Sequence, residues 1–87
     1  MRYSTILVGM HKPTRREEIA ANVRAALAYR GLDQATLAPV IGRSESAVST
    51  RLRGIANFRV DELEAIAAFL QVPLEQLLAP AAEEASA

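Results

Sequence analysis

Residues 34–53 read QATLAPVIGRSESAVSTRLR, and this stretch decides the fold. Apolar residues recur one helical turn apart on each side of Gly42, the residue type that most easily adopts the positive φ of a sharp turn. The pattern predicts two short helices, over residues 34–41 and 45–53, that cross through a tight turn. Ala38 provides the small residue needed at the crossing. The apolar residues that lock the crossing are Leu37, Ile41 and Val48.

The second of these helices has a polar face opposite its apolar one. Successive side chains are rotated by about 100° around a helix, so Ala47, Val48 and Leu52 point inward. The residues on the opposite side are Ser46, Ser49, Thr50 and Arg53. These side chains are small, polar or basic, and such a face fits the major groove of duplex DNA, which is about 12 Å wide.

The flanking sequence predicts three further helices. Thr14-Arg15-Arg16-Glu17 has the form of a capping box and starts a helix over residues 15–30, which Gly31 ends. Asp33 and Ser44 cap the two central helices. Asp61-Glu62-Leu63-Glu64 repeats the box with an acidic cap at Asp61, and Pro73 starts a last short helix over residues 74–78. The sequence therefore predicts an all-α, compact five-helix domain.

The domain is expected to lie between two segments without helical periodicity. Residues 1–13 form an N-terminal arm, residues 14–79 the helical domain, and residues 80–87 a flexible C-terminal tail. The arm contains an apolar run from Thr5 to Met10. Three interpretations of the arm stay open: a segment that embraces DNA, a strand that pairs with its copy in a homodimer, or disorder.

Composition argues against several classes of protein. The chain has no cysteine and a single histidine, which leaves too few groups for a thiolate zinc site or for most acid–base sites. The longest apolar run near the start, at residues 6–10, is shorter than a signal-peptide core and far shorter than a membrane span. We therefore expect a cytoplasmic protein that is not an enzyme and has no cofactor.

A net charge of zero hides a division along the chain. Residues 1–11 carry +1 from Arg2, and residues 12–59 carry nine Lys and Arg against four carboxylates, or +5. Residues 60–87 carry six carboxylates and no Lys or Arg, or −6. The asymmetry indicates that the first two-thirds of the chain faces a polyanion and that the last third does not.

Three stretches, in order and at matching spacing, resemble the lambda-repressor-like, Cro-type helix-turn-helix domain. They are GLDQATLA at residues 31–38, IGRSESAVS at residues 41–49 and DELEAIAAFLQVPL at residues 61–74. The resemblance covers about residues 17–78. It implies a five-helix domain that binds operator DNA, usually as a dimer, in phage repressors and bacterial regulators.

The resemblance also implies roles for individual residues. Gln34 would touch phosphate and brace the recognition helix, which is the helix over residues 45–53. The residues at or near base edges would be Ser44, Glu45, Ser46, Ser49 and Thr50. Residues that flank the recognition helix are expected to contact phosphate, as positioning contacts usually do. They are Arg43, Arg53, Asn57 and Arg59.

The chain departs from the family pattern at several positions. Pro39 lies inside the second helix and is expected to kink or tighten it. Arg51 occupies a place that is usually apolar, and we expect its stem to lie along the core with the guanidinium group at the rim. Many members of the family pair an arginine of the first helix with a glutamate near the end of the recognition helix. This chain has Leu27 and Leu52 at these positions, and we expect an apolar contact instead.

Other charged residues have simpler interpretations. The arginines of the first helix are interpreted as surface residues that aid solubility, in preference to phosphate contacts. Glu62 and Glu64, and likewise Glu83 and Glu84, are interpreted as solvated carboxylates.

Taken together, these patterns favour a regulator that binds double-stranded DNA, of the phage-repressor type, acting by operator occupancy. The alternatives are the antitoxin of a toxin–antitoxin pair, with the acidic tail as the contact for a protein partner, and a protein-interaction module that kept the fold without DNA binding.

Overall fold

The computed structural model describes residues 12–80. Five α-helices occur in this part of the chain, preceded in one case by a turn of 3-10 helix over Gln34–Thr36. The helices are α1 Arg15–Tyr29, α2 Leu37–Ile41, α3 Glu45–Leu52, α4 Val60–Leu70 and α5 Leu74–Leu78. No strand occurs between residues 12 and 80, and the predicted all-α five-helix fold is confirmed.

Two predicted segments fall largely outside this range. Residues 1–11 of the arm, with the Thr5–Met10 run, lie outside the described residues, and so do residues 81–87 of the tail. None of the helices within residues 12–80 has both the length and the apolar character needed to cross a membrane.

The predicted capping box at the start of α1 is confirmed. The Thr14 hydroxyl accepts a hydrogen bond from the Glu17 backbone N–H at 3.1 Å, and the Glu17 carboxylate accepts one from the Thr14 backbone N–H at 2.8 Å. At the other end, Gly31 has a φ of 68°, which is the left-handed conformation expected of a residue that ends a helix.

The second predicted helix is divided into two parts. The prediction of one continuous helix from residue 34 to residue 41 is wrong, because residues Gln34–Thr36 form a 3-10 turn and α2 begins at Leu37. Pro39 has no N–H to donate to the carbonyl group of Ala35, and this favours a tighter first turn. The cap is as expected, since the Asp33 carboxylate accepts a hydrogen bond from the Thr36 backbone N–H at 3.3 Å.

Helix α4 begins earlier than predicted. The expectation that Asp61 is its cap is wrong: the helix begins at Val60, and Arg59 is the cap residue. The carboxylate that reaches back is that of Glu62, which accepts a hydrogen bond from the Arg59 backbone N–H at 3.0 Å. Only this half of the box is formed, because the Arg59 side chain has no acceptor for a backbone N–H. The tertiary contacts of Glu62, described below, hold its carboxylate near Arg59.

A single apolar core joins all five helices. Six large apolar side chains are fully buried in it: Leu37, Ile66, Leu70, Leu77, Val23 and Val48. Leu27 and Leu52 are buried in the same cluster, so the predicted apolar replacement of the charged pair at these positions is confirmed. Every buried side-chain nitrogen and oxygen within the described residues has a hydrogen-bond partner.

Polar side chains of α1, and of Arg30 directly after it, bond to backbone carbonyl groups at the carboxyl ends of other helices. The last backbone carbonyl groups of a helix lack intrahelical partners. Arg24 donates to the carbonyl of Leu52 at the end of α3, and Arg30 donates to the carbonyl of Leu70 at the end of α4, both at 2.5 Å. Further donors from α1 to carbonyl groups are Arg15 to Leu78, Arg16 to Gly54, and Asn22 to Leu77 and Ala79. The four arginines are exposed, as expected, but they also fix helix ends, a role that the sequence did not indicate.

Candidate nucleic-acid interface

Helix α3 is fixed by its buried side and leaves its other side open. Val48 and Leu52 are buried, with exposures of 0% and 2%. Ser44, Glu45 and Ser46 are exposed, and the side chains of Ser49 and Thr50 are half-buried. The five residues from Ser44 to Thr50 just named are those predicted to read bases, and we call them the α3 face. Ser46, Ser49 and Thr50 are spaced by three and four residues and so share one side of α3, while Ser44 and Glu45 lie at its start.

Two hydroxyl groups of the α3 face already have partners. The Ser44 hydroxyl caps α3 by accepting a hydrogen bond from the Ala47 backbone N–H at 3.1 Å. The Thr50 hydroxyl donates to the Ala47 carbonyl at 2.9 Å. Within residues 12–80, the side chains of Ser46 and Ser49 make no hydrogen bond. These two hydroxyl groups therefore retain both donor and acceptor capacity for a ligand.

The predicted phosphate-contacting residues lie before and after α3 in the chain. Gln34 is exposed on the 3-10 turn, which packs against α3. Arg53 and Asn57 are exposed directly after α3. Arg59 is exposed as well, and its Nε donates to the Asp61 carboxylate at 3.2 Å. This hydrogen bond and charge hold the pKa of the Asp61 carboxyl below its ordinary value.

Arg43, the remaining predicted phosphate contact, belongs to a charged cluster with Arg51 and Glu62. The Glu62 carboxylate accepts from Arg43 Nε at 2.6 Å through one oxygen and from Arg51 Nε at 3.1 Å through the other. Arg51 also donates to the Ala47 carbonyl at 3.2 Å. Glu62 is only 5% exposed and Arg51 12%, whereas Arg43 is 39% exposed. The carboxylate thus connects the start of α4 to both the turn before α3 and α3 itself.

The environment of Glu62 keeps it ionised. Burial alone raises the pKa of a carboxyl group, because it disfavours the charged form. The hydrogen bond from the Arg59 backbone N–H and the guanidinium groups of Arg43 and Arg51 outweigh burial and hold the pKa of Glu62 below its ordinary value of 4.5. With two guanidinium groups and one carboxylate, the cluster carries a net charge of +1.

Comparison with known proteins places this arrangement in a family. The sequence profile of helix-turn-helix proteins matches residues 23–77, well over half of the chain. The chain belongs to the helix-turn-helix family. This membership confirms the resemblance seen in the sequence and supports a DNA-binding regulator in preference to an enzyme. No curated protein sequence matches the chain significantly.

Three solved structures illustrate what the chain is similar to in fold. A hypothetical transcription factor from Neisseria, NHTF, is similar at a TM-score of 0.71 and 30% identity, over 87% of this chain and 91% of that chain. The restriction-modification controller protein C.AhdI from Aeromonas hydrophila is similar at a TM-score of 0.65 and 26% identity, over 71% and 94%. The clp gene regulator ClgR from Corynebacterium glutamicum, at a TM-score of 0.72 and 24% identity over 78% and 72%, is similar in fold.

Two residues of this helix-turn-helix domain, Glu62 and Arg51, are more buried than predicted. Glu62 was interpreted as solvated, but it is buried and holds two arginines. The guanidinium group of Arg51 was expected at the rim, but it is largely buried against Glu62 and the backbone of α3. One sequence signal pointed to such a contact: Arg51 stands at a usually apolar position, and a buried guanidinium group calls for a carboxylate partner.

The lowered pKa of Glu62 predicts an acid-sensitive fold. A carboxyl group whose folded-state pKa lies below its unfolded-state value contributes stability above that unfolded value, and the contribution is lost as the pH falls through the folded-state pKa. Urea unfolding from neutral pH to below 4.5 is therefore expected to show a loss of stability that is smaller in Glu62→Gln. Glu64→Gln, which removes an exposed carboxylate of the same helix, is the matched control. Identical profiles for wild type and Glu62→Gln would show that the Glu62 cluster does not stabilise the fold.

Proposed function

We propose that the chain is a sequence-specific regulator that reads double-stranded DNA with the α3 face. In this proposal, α3 enters the major groove with Ser44, Glu45, Ser46, Ser49 and Thr50 at or near base edges. Positioning contacts to phosphate come from Gln34, Arg43, Arg53, Asn57 and Arg59. Glu45 has a carboxylate in place of the family's frequent glutamine, and it suits acceptance of a hydrogen bond from cytosine N4.

One observation supports this proposal above the others. The α3 face is exposed or half-exposed and four of its five side chains are short, while Val48 and Leu52 of the same helix are buried. Arg24 additionally bonds to the carbonyl of the last residue of α3. A helix fixed in this way presents its polar side chains to a groove at little cost in conformational entropy.

The proposed division between base reading and phosphate contact predicts different effects for two alanine variants. Ser49→Ala is expected to change the preference among bases at one position by about 1–3 kcal/mol. Arg53→Ala is expected to weaken binding to all sequences alike and to reduce the salt dependence of log affinity by about 0.9. Affinities measured over a series of single base substitutions in the bound site distinguish the two results. Equal, sequence-independent losses from both variants would contradict the assigned roles.

We further propose a repressor of the phage type that acts by occupying its operator. A single half-site discriminates poorly among about 10⁶ or more competing sites, so two protomers are expected on the DNA. The residues proposed for the homodimer contact are Thr5 to Met10 of the N-terminal arm, whose apolar side chains invite pairing across a two-fold axis.

If the N-terminal arm forms the dimer contact, removing it should lower the mass of the protein in solution from dimer to monomer. A chain that starts at Pro13, and the variant Leu7→Asp in the full chain, should both sediment as monomers with unchanged helix content. If the truncated chain is as dimeric as the full chain, the arm is not the interface. Exposed parts of Phe69 and Leu78 then become the better candidates.

A second function is favoured by the acidic end of the domain. Residues 60–80 carry Asp61, Glu62, Glu64 and Glu75 and no Lys or Arg, and three of these carboxylates are exposed. Exposed carboxylates are repelled by DNA and suit a basic protein partner, although that of Asp61 is paired with Arg59. An antitoxin would carry both surfaces, one for DNA and one for a toxin. Copurification of a stoichiometric protein partner would favour the antitoxin, and DNA binding without a partner would favour the repressor. Failure to bind any duplex DNA would instead favour a protein-interaction module.

A further inference from the structure

We propose that Glu62 is a positioning residue for DNA binding, which holds the Arg43 guanidinium group by Nε and directs its two terminal amino groups toward a DNA phosphate. This inference rests on the proposed function. It assigns a role in DNA contact to a buried carboxylate on α4, outside the two helices of the helix-turn-helix motif.

The Arg43 guanidinium group is held at one edge and open at the other. Arg43 Nε donates to Glu62 Oε2 at 2.6 Å, and within residues 12–80 the terminal amino groups of Arg43 donate no hydrogen bond. A guanidinium group has five donors in a rigid plane, so a carboxylate at Nε leaves the terminal edge available. That edge is the one that binds two phosphate oxygens at once.

The two arginines that contact Glu62 differ in exposure and in the number of donors used. Arg51 is 12% exposed and uses both Nε and a terminal amino group inside the protein, on Glu62 and on the Ala47 carbonyl. Arg43 is 39% exposed and stands immediately before Ser44, which caps α3. Of the two arginines held by one carboxylate, Arg43 is therefore the one that reaches a ligand of α3.

Removing the Glu62 charge should change DNA affinity in opposite directions if Glu62 positions Arg43 and if it acts by its charge alone. A carboxylate near the interface repels phosphate, so on charge alone its removal should tighten binding. Ordering a long side chain at an interface has an entropic cost, which a prior contact removes. Because Glu62 is 5% exposed and neutralised by two guanidinium groups, we expect its positioning effect to exceed its repulsion.

The experiment measures fluorescence anisotropy of a labelled duplex, selected from a random pool by the wild-type full chain, over a range of KCl concentrations. Glu62→Gln is expected to weaken binding about three- to tenfold, the cost of ordering one side chain on binding. The slope of log affinity against log salt should fall by up to about 0.9, as for the loss of one phosphate contact. Glu64→Gln removes the same charge from an exposed position of α4, and it should leave both quantities close to those of wild type.

A double-mutant cycle tests whether Glu62 acts through Arg43. In the Arg43→Ala background, Glu62→Gln should cause no further loss of affinity. Arg43→Lys keeps the charge and the Glu62–Arg51 contact but lacks the planar fork, so it should weaken binding about as much as Glu62→Gln. This variant keeps the test valid even if Glu62→Gln fails to fold by circular dichroism.

Three results would overturn the inference while leaving the proposed function intact. They are wild-type or tighter binding by folded Glu62→Gln, an equal loss from Glu62→Gln with and without Arg43, and wild-type binding by Arg43→Lys. If the wild-type chain selects no duplex from the pool, the proposed function itself fails.

Discussion

Replacing Ser46 with glutamate is expected to weaken binding to duplex DNA about 100-fold, because it places a second negative charge beside Glu45 on the surface that would face phosphates and bases. The side chain of Ser46 is exposed at the start of α3, so the substitution fills no buried space. A carboxylate near a helix N-terminus stabilises the helix. Thermal unfolding should therefore show a melting temperature equal to or above that of wild type.

The same charge added elsewhere provides the control. Ala25 is exposed on α1, and Ala25→Glu changes the net charge of the chain by the same amount. Its affinity for DNA should stay within about threefold of wild type, since distant surface charges are screened by salt. Equal losses for Ser46→Glu and Ala25→Glu would mean that only the total charge matters, and would contradict DNA contact by the α3 face.

The largest expected effect on stability comes from Leu37→Ala. Leu37 is completely buried where α2 packs in the common core, and removal of such a side chain leaves a cavity. The free energy of unfolding should fall by about 2–5 kcal/mol. Since domains of this size are stable by only about 5–15 kcal/mol, urea denaturation should show a large shift of the midpoint.

Leu78→Ala is the matched control for this loss. The same chemical change is made on α5, but Leu78 is 37% exposed, so less apolar surface leaves the core. Its effect should be clearly smaller than that of Leu37→Ala. Similar shifts for the two variants would show that α2 is not anchored by Leu37 as described.

Local sequence signals predicted most of the helix boundaries because their causes are local. The Thr14 cap of α1, the Ser44 cap of α3 and the left-handed Gly31 each depend on residues within one helical turn. The predicted start of α4 was wrong because the carboxylate that reaches back is that of Glu62, which accepts from the Arg59 backbone N–H. Glu62 is held by Arg43 and Arg51, which are distant in sequence.

The candidate site could be predicted in part for the same reason. Helical periodicity placed Ser46 and Ser49 opposite the buried Val48 and Leu52. Periodicity cannot show that a carboxylate on α4 lies between two arginines, because the tertiary packing of α2, α3 and α4 brings them together. The bonds from α1 arginines to helix-terminal carbonyl groups escaped prediction likewise, since backbone acceptors leave no signal in the sequence.

The most direct test of DNA reading by this chain compares two duplexes over a range of salt concentrations. One duplex is selected from a random pool by the full chain, and the other has the same bases in scrambled order. We predict that the selected duplex binds on the order of 10³-fold or more tightly than the scrambled one. Log affinity for both should fall steeply with log salt, by about 0.9 for each phosphate contacted. Equal affinity for the two duplexes, or an affinity that does not change with salt, would contradict sequence-specific binding through the α3 face and its flanking basic residues.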